Sequence, residues 1–153
     1  MGDGQTAKSI STVDILLVED DPGHARLIEK NLRRASLSNQ ITIAPDGEQA
    51  LDFLFQRGAY ADRQISTSLL VLLDLNLPIV DGYQVLQAMK ADARTHSIPV
   101  VVLTTTDDAR EVKRCYDLGC NVFLSKPVSY ERFAEAINSL GLFISVVTIP
   151  RLS

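Results

Sequence analysis

The chain has 153 residues, 46% of them hydrophobic and 22% charged, with a formal net charge of −4. That length and apolar share suit one globular domain with a buried core, and the acidic balance argues against a nucleic-acid-binding surface. No apolar run approaches the roughly 20 residues that a bilayer span needs, and two cysteines, Cys115 and Cys120, make neither a zinc nor a disulfide framework, so a cytoplasmic protein engaging neither membrane nor nucleic acid is expected.

Residues 1–12 are small and polar with no apolar segment of a signal peptide, and read as a disordered lead-in to a domain spanning 13–140. Val13 to Val18 reads as a buried strand that runs into Glu19, Asp20 and Asp21. Pro22 then suits the first turn of a helix, with Ala25, Leu27, Ile28 and Leu32 as its apolar stripe and Arg33-Arg34 near its dipole-favoured end. Gln40 to Ala44 alternates and is β-branched, a strand nearer the sheet edge. Asp46-Gly47 marks a turn and helix start, and Ala50, Leu51, Leu54 and Phe55 form the expected buried face. Residues 58–68 read as a loop.

Leu69 to Leu73 is five apolar residues in a row, the pattern of a strand buried on both faces. It meets a single carboxylate, Asp74, and Asp81-Gly82 closes the stretch. A helix follows over Gly82 to Ala91, with Val85, Leu86 and Met89 on one face. Val100 to Leu103 is a fourth strand, ending in Thr104, Thr105 and Thr106. Asp107-Asp108 can cap a helix carrying Val112, Cys115, Tyr116 and Leu118, stopped by Gly119. Asn121 to Ser125 is a fifth strand, followed by Lys126-Pro127, and Ser129 starts a last helix with Phe133, Ile137 and Leu140 inward and Gly141 at its end.

Five strands alternating with five helices give an α/β fold, one doubly wound parallel sheet of flavodoxin-like plan, with 2-1-3-4-5 as the preferred strand order. Ligands in such sheets sit at the carboxyl ends of the strands. The strand ends deliver Glu19 and Asp20, then Asp74, Thr104 and Lys126 to one edge. Crowded carboxylates repel one another, and one lysine is too little charge to offset them. A hard divalent cation is the missing charge, and Mg2+ prefers one or two carboxylates, waters and a phosphate. The set is that of a phosphoryl-transfer site in which Asp74 is the nucleophile. Asp20 and Glu19 would bind the metal with Asp74, Asn76 could add its backbone carbonyl, and Thr104 and Lys126 would each take a phosphoryl oxygen.

The pieces LLVED (16–20), LLDLNLPIVDG (72–82), VVLTT (101–105) and FLSKP (123–127), in that order, resemble the receiver domain of bacterial two-component response regulators. The resemblance implies that Asp74 accepts phosphate from a sensor histidine kinase, with Thr104 and Phe123 as the switch pair. The second helix with its following loop, and the tail, are similar to single-domain regulators that partner bacterial phytochrome kinases. Departures are Glu19 where many members carry Asp, Phe123 where many carry Tyr, the extra Asp21, which is not assigned to the metal, and Thr105 where a smaller residue is usual.

Each residue has a plainer reading: Asp74 a turn cap, Thr104 a strand-end hydroxyl bonded to backbone, Lys126 a solvated charge, Phe123 core. His24 and His96 read as exposed, and the cysteines as small apolar fillers. In the C-terminal arm, residues 141–153, Leu142, Phe143, Ile144, Val146, Val147 and Ile149 are too apolar to rest in water, and packing on a second copy in a homodimer is expected. With no output domain expected after the last helix, output would be a protein contact or a shift in assembly. Two alternatives stand beside the receiver. A Mg2+-dependent phosphatase of the haloacid dehalogenase type would want Asp where Asn76 stands and a later acidic pair. A pseudo-receiver would bind partners without phosphorylation.

Overall fold

The computed structural model describes residues 14–34, 40–63, 68–106, 108–127 and 129–139. Its elements, in chain order, are β1 (Asp14–Val18), α1 (Pro22–Arg34), β2 (Gln40–Ala44), α2 (Gly47–Leu54), β3 (Leu69–Leu73), α3 (Gly82–Lys90), β4 (Val100–Thr104), α4 (Ala109–Asp117), β5 (Val122–Ser125) and α5 (Tyr130–Ser139). All pairings are parallel and the order is β2-β1-β3-β4-β5, as expected.

The strands are apolar on both faces because helices cover both. Leu16, Val18, Val71, Leu73, Val100 and Val102 face α2 and α3 through Ala50, Phe53, Val85, Leu86 and Met89. The alternate residues Ile15, Leu17, Leu70, Leu72, Val101 and Leu103 face α1 and α5 through Ala25, Leu32 and Phe133. Period-two alternation thus divides each strand between two cores, and each large side chain buried contributes about 1.5–3 kcal/mol.

The helix starts are fixed by local polar side chains. Asp21 Oδ1 accepts the N–H groups of Gly23 and His24 at 2.8 and 3.1 Å. Asp46 caps α2 through Gln49, Asp81 and Gln84 form a capping box on α3, and Asp108 caps α4 through Arg110. The Ser129 hydroxyl accepts the Arg132 N–H at 3.1 Å. Each such cap contributes about 1 kcal/mol. Gly119 ends α4 at φ 107°, a backbone conformation that favours glycine.

Several burial expectations are corrected. Leu27 is exposed: at about 100° per residue it lies far around α1 from Ala25, Ile28 and Leu32, which face the sheet. In α2 Phe53 is buried beside Ala50 and Leu54, while Leu51 and Phe55 are only half-buried. Tyr116 is exposed on α4, whose one buried residue is Cys115, and its hydroxyl accepts the Phe123 N–H at 3.1 Å on the outer edge of β5. Within 58–68, residues Gly58–Tyr60 form one turn of 3₁₀ helix. The last strand begins at Val122. Asn121 stands just before it and ties to the start of β4, its Oδ1 accepting the Val100 N–H at 2.9 Å. The cysteines are buried and unpaired, and burial pushes the Cys120 thiol up to about 12. The lead-in, Val13, Asp107, Leu140 and the arm residues Leu142, Phe143, Ile144, Val146, Val147 and Ile149 lie outside the described residues, as does the side chain of Ile137.

Candidate functional site

Three residues of the site stand one step beyond a strand, and each is pinned by its own backbone N–H to a neighbouring strand's last carbonyl. Glu19 donates to Ala44 at 3.0 Å, Asp74 to Val18 at 3.0 Å and Lys126 to Thr104 at 2.7 Å. The sheet ladder therefore fixes where these side chains start. The Lys126–Pro127 peptide is cis.

Glu19, Asp20 and Asp74 converge, each offering a carboxylate oxygen within 4.8 Å of the others. Glu19 and Asp74 are buried and Asp20 is exposed, so the cluster is dry on one side and open on the other. Lys126 closes it from across the sheet. Its ammonium donates to Glu19 Oε1 and, at 3.2 Å, to Asp74 Oδ2. Burial pushes the Glu19 carboxyl up, and the Lys126 hydrogen bond pulls against that rise. Glu19 Oε2 accepts the Asp21 N–H at 3.1 Å, and Asp74 Oδ1 accepts the Asn76 N–H at 3.3 Å. Asp21 itself turns away to cap α1, and the hydrogen bonds from His24 and Gly23 hold its carboxyl below the usual range.

Thr104 ends β4 wholly buried, and among the described residues its Oγ1 has no hydrogen-bond partner. A hydroxyl left so is costly unless something arrives to bond it. Phe123 pairs with Val102 and Ser125 with Thr104. Phe123 therefore lies on the same sheet face as Thr104, half-buried against that face's core.

The structure thus brings together Glu19, Asp20, Asp74, Thr104 and Lys126, with Phe123 two residues back along β5 from the Ser125–Thr104 pair and Asn76 exposed beside Asp74. It adds one residue that the sequence reading placed as merely exposed. His24 Nδ1 lies 3.2 Å from the Lys126 ammonium. The contact joins residues 102 positions apart, and no local pattern announces it. Beside it a cleft of about 160 Å³ is lined by Leu27, Leu103, Thr105 and Phe133.

Three carboxylates, an ammonium and an unpartnered hydroxyl at one sheet edge suit a hard divalent cation and an anionic group with several oxygens. The donor set is all oxygen, which disfavours soft metals.

A family model described as the response regulator receiver domain matches residues 15–138. Response regulator Rcp1 of Synechocystis sp. is 36% identical over 137 residues, covering 89% of this chain and 92% of Rcp1. Among solved structures, the bacteriophytochrome response regulator AtBRR is 42% identical with a TM-score of 0.78, covering 86% of this chain and 94% of that one. A response regulator receiver domain from Rhodospirillum rubrum is 54% identical with a TM-score of 0.71, covering 88% and 94%. The Mn(2+)-bound form of Rcp1 superposes with a TM-score of 0.73 at 37% identity, covering 85% and 94%.

Proposed function

The chain belongs to the response regulator receiver domain family, and from that premise we propose that it is a regulator whose Asp74 accepts a phosphoryl group from a sensor histidine kinase. A carboxylate oxygen of Asp74 forms the new P–O bond as the P–N bond of a kinase phosphohistidine breaks, and the imidazole leaves. Lys126 and Thr104 take the oxygens of the incoming group, and Lys126 offsets its charge. Glu19, Asp20, Asp74 and the Asn76 carbonyl hold Mg2+, which supplies further charge neutralisation when bound. The observation that carries this reading is the buried Thr104 hydroxyl, without a partner among the described residues, on the strand next to Asp74.

Thr104 moving to the phosphoryl group would bias Phe123 and the β5 surface, which is how phosphorylation becomes a protein contact or a change of assembly. The likeness to AtBRR, a bacteriophytochrome response regulator, supports a phytochrome-type kinase as the donor. The chain acts as a stoichiometric acceptor, not a turnover phosphatase: Asn76 stands where a haloacid dehalogenase places its general acid. It works in the cytoplasm as a homodimer joined through the apolar residues from Leu142 to Ile149. Among the described residues no helix is long and apolar enough to cross a membrane.

Intact mass after acetyl phosphate and Mg2+ tests the chemistry. One phosphoryl group is expected on the wild type, and none on Asp74→Asn or in chelator. No added mass, and no binding of beryllofluoride, would leave a pseudo-receiver. Sedimentation of the full chain beside one ending at Leu140 tests the dimer: an unchanged assembly state after truncation would remove the arm from the interface.

A further inference from the structure

We propose that His24 is a positioning residue for Lys126, drawing one of its ammonium protons away from the two buried carboxylates that a divalent cation must share. A lysine ammonium has three donors and no acceptor. Here the three meet Glu19 Oε1, Asp74 Oδ2 at 3.2 Å and His24 Nδ1 at 3.2 Å. The lysine side chain is only 9% exposed and its two carboxylate partners are as well shielded, while His24, 47% exposed, is the acceptor on the solvent side. Because the lysine can only donate, His24 Nδ1 stands as the acceptor of this pair.

The imidazole is placed by the same acids that it serves. The His24 backbone N–H donates to Asp21 Oδ1 at 3.1 Å, and the Asp21 N–H donates to Glu19 Oε2 at 3.1 Å. A short chain of hydrogen bonds therefore runs from Glu19 through the start of α1 to the residue that holds the lysine. The charges facing the ring are those of Lys126, of Glu19 at 3.9 Å and of Asp21 at 4.0 Å.

The consequence is a competition. Glu19 and Asp74 belong to the three-carboxylate cluster and also accept from Lys126. A cation entering the cluster shares their oxygens with the ammonium. A third acceptor takes part of the ammonium's hydrogen bonding. With that acceptor gone, the remaining protein acceptors are the two carboxylates, and the lysine settles deeper among them.

This inference rests on the reading that the cluster holds Mg2+, and its test separates the two. Mg2+ is titrated into the full chain by calorimetry, for the wild type, His24→Ala, His24→Phe, His24→Asn, Lys126→Ala and the His24→Ala/Lys126→Ala double variant. The loss of one neutral hydrogen bond predicts Mg2+ binding about three- to fivefold weaker in His24→Ala and His24→Phe. Asn offers an amide oxygen at the δ position and is expected to keep affinity within about twofold of the wild type. In the Lys126→Ala background the His24 change is expected to have no effect, since the cycle isolates the pair. If the wild type binds no Mg2+, the metal reading fails and this inference falls with it. If the wild type binds and all His24 variants match it, or all three lose affinity equally, only the His24 role is overturned.

Discussion

Lys126 reaches Asp74 at 3.2 Å across the full width of β4, since one follows β5 and the other β3. The same ammonium meets Glu19, which follows β1. One lysine thus bridges the ends of strands from both halves of the sheet, where all three side chains are largely shielded from water. Buried charges of this kind are tolerable only while paired.

Removing the lysine leaves two buried carboxylates facing each other. In chelator, Lys126→Ala is expected to lose about 3 kcal/mol of stability relative to the wild type, the cost of breaking a buried pair from one side. Added Mg2+ is expected to raise the melting temperature of the variant more than that of the wild type, because the cation is then the one remaining source of positive charge in the cluster. Thermal melts with chelator and with Mg2+ check both. Equal stability of variant and wild type in chelator would mean that the ammonium is not what neutralises Glu19 and Asp74.

Gly82 guards the position of Asp74 from behind. A Cβ there would meet the Asp74 carbonyl oxygen at 2.4 Å and the Leu75 Cα at 2.6 Å, both backbone atoms with nowhere to move. Gly82→Ala is expected to cost about 2 kcal/mol, in the range of overpacked sites, and to slow phosphorylation by acetyl phosphate as the Asp74 backbone shifts. Chemical denaturation and a phosphorylation time course measure the two effects. A variant of normal stability and normal rate would show that the loop after β3 yields without disturbing the site.

Much of this was legible in the sequence for a simple reason: the site is written at strand ends. The run Leu69 to Leu73 cannot be anything but buried, so the carboxylate that ends it is conspicuous, and the same holds for Glu19 and Asp20 after β1. Strand order could be preferred because few topologies suit alternating βα units. Side-chain burial on the helices was read less well. Leu27 and Tyr116 are apolar in bulk but lie outside the arc that meets the sheet, and α4 turns only Cys115 fully inward. The His24–Lys126 contact was invisible, because it depends on how the first turn of α1 meets the residue after β5. Nor does periodicity reveal that Tyr116 covers the edge of β5 through the Phe123 N–H.

Ile79 adopts φ 70° in the loop between Asp74 and α3 and is 73% exposed. A β-branched residue in the left-handed region is strained by about 1–2 kcal/mol, and so little buried surface returns almost none of it. Ile79→Asn is therefore expected to stabilise the protein by about 1 kcal/mol, since Asn tolerates this conformation. That corresponds to a rise in melting temperature of about 2–4 °C for a chain of this size. Differential scanning calorimetry decides it. A lower melting temperature would mean that the isoleucine side chain packs on something that outweighs its backbone strain.

Thr104 carries the sharpest opposition between stability and signalling. Its buried Oγ1 lacks a partner among the described residues, and such a group costs about 1–3 kcal/mol relative to a satisfied one. Thr104→Val keeps the shape and removes the unpaired oxygen, so the unphosphorylated variant is expected to be more stable by about 1 kcal/mol. The order reverses once a phosphoryl mimic is bound. Beryllofluoride with Mg2+ is expected to raise the melting temperature of the wild type by several degrees more than that of the valine variant, because only the wild type can bond the mimic through this hydroxyl. Thr104→Ser, which keeps the oxygen, is expected to retain most of the wild-type response. A valine variant that is less stable than the wild type without beryllofluoride would show that the hydroxyl is already bonded in the resting protein. A valine variant that gains as much from beryllofluoride as the wild type would show that the phosphoryl group does not call on Thr104, and the switch would then have to start elsewhere on the sheet edge.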